Sequence, residues 1–151
     1  QITAVRWIDL DRGQIDDPEN HYALDFPAIL ISFGDIPWGS IGEKVNHGDC
    51  EITLRIAYQP YNDSSNHTPE TIRDQALAEL GIRQNLNAAL QGFAGSNFNE
   101  LQHVGTSQEP REDGMLVFAE TYKTLLVDNS AAKNWQEVEG VDLSVELDHE
   151  E

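Results

Sequence analysis

Basic residues are scarce in this chain. Nine lysines and arginines stand against 27 aspartates and glutamates, which gives a formal net charge of −18. A surface with this balance repels phosphate backbones, so we expect no tight binding of nucleic acid. Cysteine is scarcer still, because Cys50 is the only one and therefore cannot form an intramolecular disulfide. Composition thus favours a highly solvated acidic protein without a disulfide framework.

Long apolar runs are also missing. No stretch approaches the roughly 20 apolar residues that span a bilayer, and no signal-peptide pattern opens the chain, so we expect no membrane partner. A length of 151 residues predicts a single domain over 1–151, with an acidic tail at 146–151. The chain begins at Gln1 rather than Met, which suggests that an N-terminal piece is missing.

Motifs that carry chemistry are absent or incomplete. The acid-rich run Asp9–Asp17 resembles a calcium loop, but glycine falls at its fifth position and not at the sixth. His47, Asp49 and Cys50 lie close together, yet a structural zinc site brings four ligands at a regular spacing. Cys50 beside His47 could also form a nucleophile and its base. We expect no catalytic, cofactor-binding or metal-binding residues and no enzymatic activity, and an enzyme using these segments is the third hypothesis.

Hydrophobic patterns predict several strands. The run Phe26–Phe33 is led by Pro27 and is nearly continuous in apolar character, which predicts a strand buried on both faces. The segment Glu51–Tyr58 alternates cleanly, with its even-numbered apolar residues on one face. Further strands are predicted over 2–10, over 100–108 with 115–127 as a hairpin, and over 141–147. The intervening segment Asp35–Asp49 reads as a loop or an extended hairpin arm.

One helical pattern stands among these strands. Thr68-Pro69 supplies a helix start, and apolar residues recur at helical spacing from Ile72 to Phe93, interrupted at Gly81. The order of elements predicts an α+β domain, a mostly antiparallel sheet with one long or broken helix packed on one face.

Tryptophans and loops indicate where other subunits could bind. Trp7 should lie in the core, whereas Trp38 and Trp135 stand among polar or loop residues, and exposed tryptophans are enriched at protein interfaces. Tyr61 lies in the polar loop 60–67, which could reach a neighbouring subunit. The predicted interface residues are therefore Trp38, Trp135 and Tyr61, and the alternative is that each tryptophan covers the edge of its own core.

The series of elements over residues 22–128 resembles the tail-terminator and neck (tail-completion) proteins of long-tailed bacteriophages and prophages. The resemblance rests on the proline-led strand, the loop with Trp38, the alternating strand, the helix and the hairpin. It implies a non-enzymatic subunit of the virion tail, assembled in the bacterial cytoplasm into a ring that is usually a hexamer. The ring would contact tail-tube and head-connector proteins. The family usually begins with a helix, whereas this chain begins with a strand.

A second function also suits the composition. A small acidic module that binds or inhibits a basic protein would use the same net charge of −18. Oligomeric state separates the two hypotheses, because a tail subunit forms large assemblies and an inhibitor module does not need to.

Overall fold

In a computed structural model, residues 5–17, 24–58 and 81–132 are described, and they form one sheet with one helix. Residues 81–90 are helical; we call this described helical segment α1, and it lies between the fourth and fifth strands of the chain. The strands are β1 (Trp7–Leu10), β2 (Ala28–Phe33), β3 (Trp38–Gly42), β4 (Val45–Tyr58), β5 (Gln102–Glu109) and β6 (Leu116–Asp128).

The two longest strands lie at the centre of the sheet. The strand order is β1-β2-β4-β6-β5, and β3 pairs with the first part of β4. β1 and β2 are parallel, and the other pairings are antiparallel. β4 and β6 are paired from Asn46↔Asp128 to Tyr58↔Leu116. Their valines, isoleucines, threonines and tyrosines suit a pleated, half-buried surface.

The main core lies between α1 and one face of the sheet, which we call the α1 face. The even-numbered residues Leu54, Ile56 and Tyr58 of β4 point to this face, as their alternation predicts. Ile82 and Leu86, four residues apart on α1, pack against them. Ile29, Leu101 and Tyr122 complete the buried cluster.

A smaller core covers the centre of the opposite face. Leu30, Ala57 and Val117 are fully buried there, beneath Ile15 from the loop that follows β1. Burial on both faces explains why Ala28–Leu30 reads as a continuous apolar run. The expected burial of the whole run is wrong at its end, because Phe33 is 59% exposed.

The predicted long or broken helix packed on the sheet is wrong, whereas the predicted α+β class and mostly antiparallel sheet are compatible with the structure. The six strands dominate, and α1 is only ten residues long in the part of the chain that the structure describes. The helix ends because Gly92 adopts a left-handed conformation with φ 79°, a typical helix terminus. Phe93 therefore lies outside the helix and is 54% exposed. The first part of the predicted helix, residues 68–80, lies outside the described residues.

Segment Asp35–Asp49 is the extended hairpin arm, the second of the two predicted alternatives. β3 pairs with β4 from Trp38↔Gly48 to Gly42↔Val45. Glu43 and Lys44 form the turn with φ values of 50° and 62°, as a two-residue hairpin turn requires. The predicted hairpin around 109–114 is confirmed by the antiparallel pairing of β5 with β6. The predicted strand 141–147 lies outside the described residues.

None of the helical residues that the structure describes forms a segment long and apolar enough to cross a membrane.

Removing side-chain volume from the main core should destabilise the protein strongly. Ile56 is fully buried, so we expect Ile56→Ala to lower the free energy of unfolding by about 2–5 kcal/mol, measured by urea denaturation. Ile41→Ala is the matched control, because Ile41 is 62% exposed and its loss should change stability by less than about 0.5 kcal/mol. Equal effects of the two substitutions would contradict the assignment of the core.

Candidate assembly surface

Trp38 is the one predicted interface residue among those that the structure describes. Its side chain is 50% exposed at the start of β3. Trp135 and Tyr61 lie outside the described residues. Trp7 is half-buried and packs against the smaller core, in line with the prediction that it faces inward.

A glycine lets the Trp38 ring lie across β4. Trp38 is paired with Gly48, and a Cβ atom at Gly48 would approach Ile36 Cγ2 to 2.6 Å and Trp38 Cε3 to 3.3 Å. The absence of a side chain at Gly48 therefore allows residues 36–38 to pack closely on the strand. This local packing fixes the position of Trp38 at the base of the hairpin arm.

Four large apolar side chains on the α1 face remain exposed. Cross-strand partners in a sheet point to the same face, so the register assigns each residue to a side. Phe33 is paired with Ile52, and Ile8 with Ile29, whose side chains both belong to the α1 face. The same reasoning assigns the two others, and together the four form the surface that we call the apolar strip: Ile8, Leu10, Phe33 and Trp38.

The apolar strip lies along β1, β2 and β3, beside the part of the sheet that α1 covers. The exposed fractions of its side chains are 63% for Ile8, 49% for Leu10, 59% for Phe33 and 50% for Trp38. Only Trp38 was predicted as a surface residue. The others were missed because alternation shows which face a residue occupies, and does not show whether another element covers that part of the face.

On the opposite face, two arginines hold the acid-rich loop against the sheet. Arg55 of β4 forms hydrogen-bonded ion pairs with Asp11 (3.0 Å), Asp16 (2.8 Å) and Glu109 of β5 (2.7 Å). Arg111 donates to Asp16 at 2.7 Å and to the Ile15 carbonyl oxygen. The loop that resembles a calcium site therefore binds arginine. Hydrogen bonds from Arg55, offset in part by burial, together with those from Arg111 lower the pKa of Asp16 to about 2.

A second polar cluster surrounds Glu120 on the α1 face. The carboxylate is almost completely buried and accepts hydrogen bonds from Arg83 of α1 at 2.5 Å and from Thr106. His103 Nε2 lies 2.8 Å from it. Burial raises the pKa of Glu120, but these hydrogen bonds outweigh that effect and the net pKa is lowered. Arg83 also lies over the Phe118 ring, 4.2 Å from its centroid. This cluster ties α1 to β5 and β6.

The residues considered for zinc binding or nucleophilic attack do not converge. His47 and Asp49 point to one side of β4 and Cys50 to the other, as alternation along the strand requires. Cys50 is buried, and desolvation raises the pKa of its thiol, which makes it a poor nucleophile. Within residues 5–17, 24–58 and 81–132, no group of three or more histidine, cysteine or acidic side chains is placed to hold a metal ion.

Comparisons with known proteins give little guidance. No protein-family model and no curated protein matches the chain. Sixteen chains of solved structures match it. One of them is a chain of the virion of a native gene transfer agent particle. It is 8% identical to this chain, the alignment covers 83% of this chain and 80% of that one, and the TM-score is 0.49. This is a weak structural likeness to a virion component, and function has to be argued from the residues.

The ion pairs of Asp16 should make stability depend on pH. A lowered pKa means that Asp16 stabilises the fold above its ordinary pKa of 3.8, and that this contribution is lost as the pH falls towards about 2. We therefore expect Asp16→Asn to melt below the wild type at pH 6, and the difference to close by pH 2, measured by circular dichroism. Asp35→Asn is the control, because Asp35 is exposed and no ion pair involves it among the described residues. A gap that is the same at both pH values would contradict the role of Asp16.

Proposed function

We propose that this chain is a non-enzymatic structural subunit of a phage or prophage particle. More specifically, we propose a tail-terminator or tail-completion protein that forms a ring, usually a hexamer, at the head-proximal end of the tail tube. Its partners would be further copies of itself, the tail-tube protein and the head connector. It would act in the virion tail after assembly in the bacterial cytoplasm. The observation that carries the proposal is the apolar strip.

The size of the apolar strip supports a role in assembly. Each of the four large side chains is about half exposed or more. Together they present on the order of 500 Å² of apolar surface. This area is comparable to the largest apolar patch of a typical monomer, about 300–600 Å², which is often functional, and a stable interface buries about 800 Å² on each partner. The apolar strip would therefore supply more than half of one side of an ordinary interface.

The charge of the chain suits a subunit that surrounds a DNA passage. A net charge of −18 leaves few groups that could bind phosphate, so DNA can pass an acidic inner surface without being held by counterion release. Of the five arginines that the structure describes, Arg55, Arg83 and Arg111 are already engaged in ion pairs, and Arg6 and Arg12 are not.

A structural role also agrees with the contacts of the acid-rich loop after β1 and with the burial of Cys50, the two places where the sequence could have carried chemistry. The carboxylates of Asp11 and Asp16 bind Arg55, and the thiol of Cys50 is buried with a raised pKa. These groups stabilise the sheet or fill its core.

The second candidate is a small acidic module that binds or inhibits a basic protein. The net charge of −18 favours it, because complementary charge accelerates association with a basic partner. It predicts a chain that stays monomeric and binds a basic protein in a manner that weakens with salt.

The proposal predicts rings in solution or on tail tubes. We expect the full chain to sediment as a ring-sized oligomer, or to cap one end of tail tubes from the same source, as seen by electron microscopy. The double variant Phe33→Glu with Trp38→Glu should lose assembly and keep its fold, because burying two carboxylates at an interface is costly. Ile41→Glu is the matched control, since Ile41 is exposed on the hairpin arm outside the apolar strip. A chain that stays monomeric and leaves tubes uncapped under all salt conditions would refute the proposal.

A further inference from the structure

We propose that the apolar strip of one copy binds the exposed side of α1 and the loop that follows it in a second copy. We call this second surface the uncharged surface, and it consists of the exposed residues between 84 and 99, among which Phe93 is the one large apolar side chain. The inference rests on the proposed function, for which it names the surface that the apolar strip meets. It can fail separately, because copies could also assemble through other surfaces.

The uncharged surface is distinguished by its lack of charge. Residues 84–99 contain no aspartate, glutamate, lysine or arginine, and this is the longest such run in the chain. In a chain with 24% charged residues, a run of sixteen would hold about four. Twelve of the sixteen residues are exposed, so burial within the monomer does not explain the absence. The central part of a protein interface is depleted in charge, because charges there would have to be desolvated.

The exposed side of α1 shows the same absence. Ile82 and Leu86 direct one side of the helix into the main core, whereas Gln84 and Ala88, four residues apart, are exposed on another side. A helix on the surface of a soluble domain ordinarily carries charged residues on its solvent side. α1 carries alanine and amide side chains there instead, which suits a side that a partner covers.

Phe93 is held in a fixed position beside β5. Its carbonyl oxygen accepts a hydrogen bond from Leu101 N at 2.8 Å, and Gly92 N donates to Leu101 O at 2.9 Å. Its ring lies 5.7 Å from that of Phe98, measured between centroids, and the side chain is 54% exposed. A fixed aromatic side chain loses little conformational entropy on binding, and aromatic residues are enriched among those that carry binding energy. Because the hydrogen bonds already occupy the outer side of β5 here, a partner must bind through side chains.

The two surfaces lie on the same side of the sheet. Trp38 is paired with Gly48, Gly48 with Leu126, and Leu126 with Phe98. Cross-strand partners share a face, so Trp38 and Phe98 both lie on the α1 face, with backbones about 14 Å apart across three strand spacings. The apolar strip and the uncharged surface are therefore separate. A contact between two different surfaces can repeat from copy to copy, and it closes into a ring when the rotation permits.

The chemistry of the uncharged surface matches that of the apolar strip. Two copies that each carry a net charge of −18 repel one another wherever charged surfaces meet, and the uncharged surface avoids this cost. Phe93 adds apolar area to the contact. The strip is flanked by charges of both signs, from Arg6 and Arg12 and from Asp9 and Asp35. Amide side chains both donate and accept hydrogen bonds, so they suit either sign at the rim of the contact. The exposed amides of the uncharged surface are Gln84, Asn85, Gln91, Asn97 and Asn99.

A mixing experiment tests which surfaces meet. The double variant Phe33→Glu with Trp38→Glu disrupts the apolar strip, and Phe93→Glu disrupts the uncharged surface. Each variant alone should associate at least about 30-fold more weakly than the wild type, because the contact would desolvate a carboxylate. An equimolar mixture with one variant fluorescently labelled should form heterodimers, since one intact surface of each kind remains. Sedimentation velocity would overturn the proposal if Phe93→Glu associates like the wild type, if the mixture gives no heterodimers, or if the wild type stays monomeric.

A single added charge tests the uncharged surface without changing its shape. Gln84→Glu replaces an exposed amide by a carboxylate of nearly the same size, so circular dichroism should show an unchanged fold. We expect association to weaken about tenfold, because the added charge must be desolvated in the contact. Gln102→Glu is the matched control, since Gln102 is exposed on the opposite face, paired with Lys123, and the change should alter association less than about twofold. Equal effects of the two substitutions would contradict the proposal.

The same variants separate this contact from the proposed function. Rings that form normally with all of them refute the contact and leave the proposed function standing. A dimer that responds to the variants, and that neither grows into a ring nor caps tail tubes, supports the contact and refutes the tail-terminator role.

Discussion

The antiparallel pairing of β4 with β6 is the constraint on which the rest of the structure depends. It runs over thirteen residue pairs and determines which side chains of both strands point to the α1 face. A shift of one residue would move Leu54, Ile56 and Tyr58 away from α1 and expose the main core. β2 and β3 both attach to β4, so the positions of Phe33 and Trp38 follow from the same register.

The ion pairs of the sheet follow from this register as well. Arg55 of β4 and Glu109 of β5 are 54 residues apart in the chain, and they meet because β6 sets the spacing between the two strands. Glu120 meets Arg83 and His103 for the same reason. A buried carboxylate is tolerated only with such partners, so these clusters make the arrangement of α1 and the loop after β1 specific to one register.

The outer parts of the sheet differ in character from its centre. The centre is buried on both faces, whereas β1, β3 and β5 carry exposed apolar side chains in a chain whose charge is strongly negative. Charge of one sign keeps free copies apart in solution, and localised apolar surfaces overcome that repulsion when they meet in a defined geometry. This balance is what an assembly subunit requires, and it connects the proposed ring to the fold.

Alternation alone determined the faces of β4 and β6, because a period of two assigns each side chain to a side whatever the partner strand is. The turn sequence at 109–114 led to the hairpin of β5 and β6, and the loop surroundings of Trp38 led to its prediction as a surface residue. The predicted C-terminal end of the helix was wrong, since the left-handed Gly92 ends it before Phe93. Only the tertiary structure decided that Ile8, Leu10 and Phe33 lie uncovered and that Arg55 binds Asp11 and Asp16. Exposure and ion pairing depend on strand order, which joins residues far apart in the chain, and local patterns carry no information about that order.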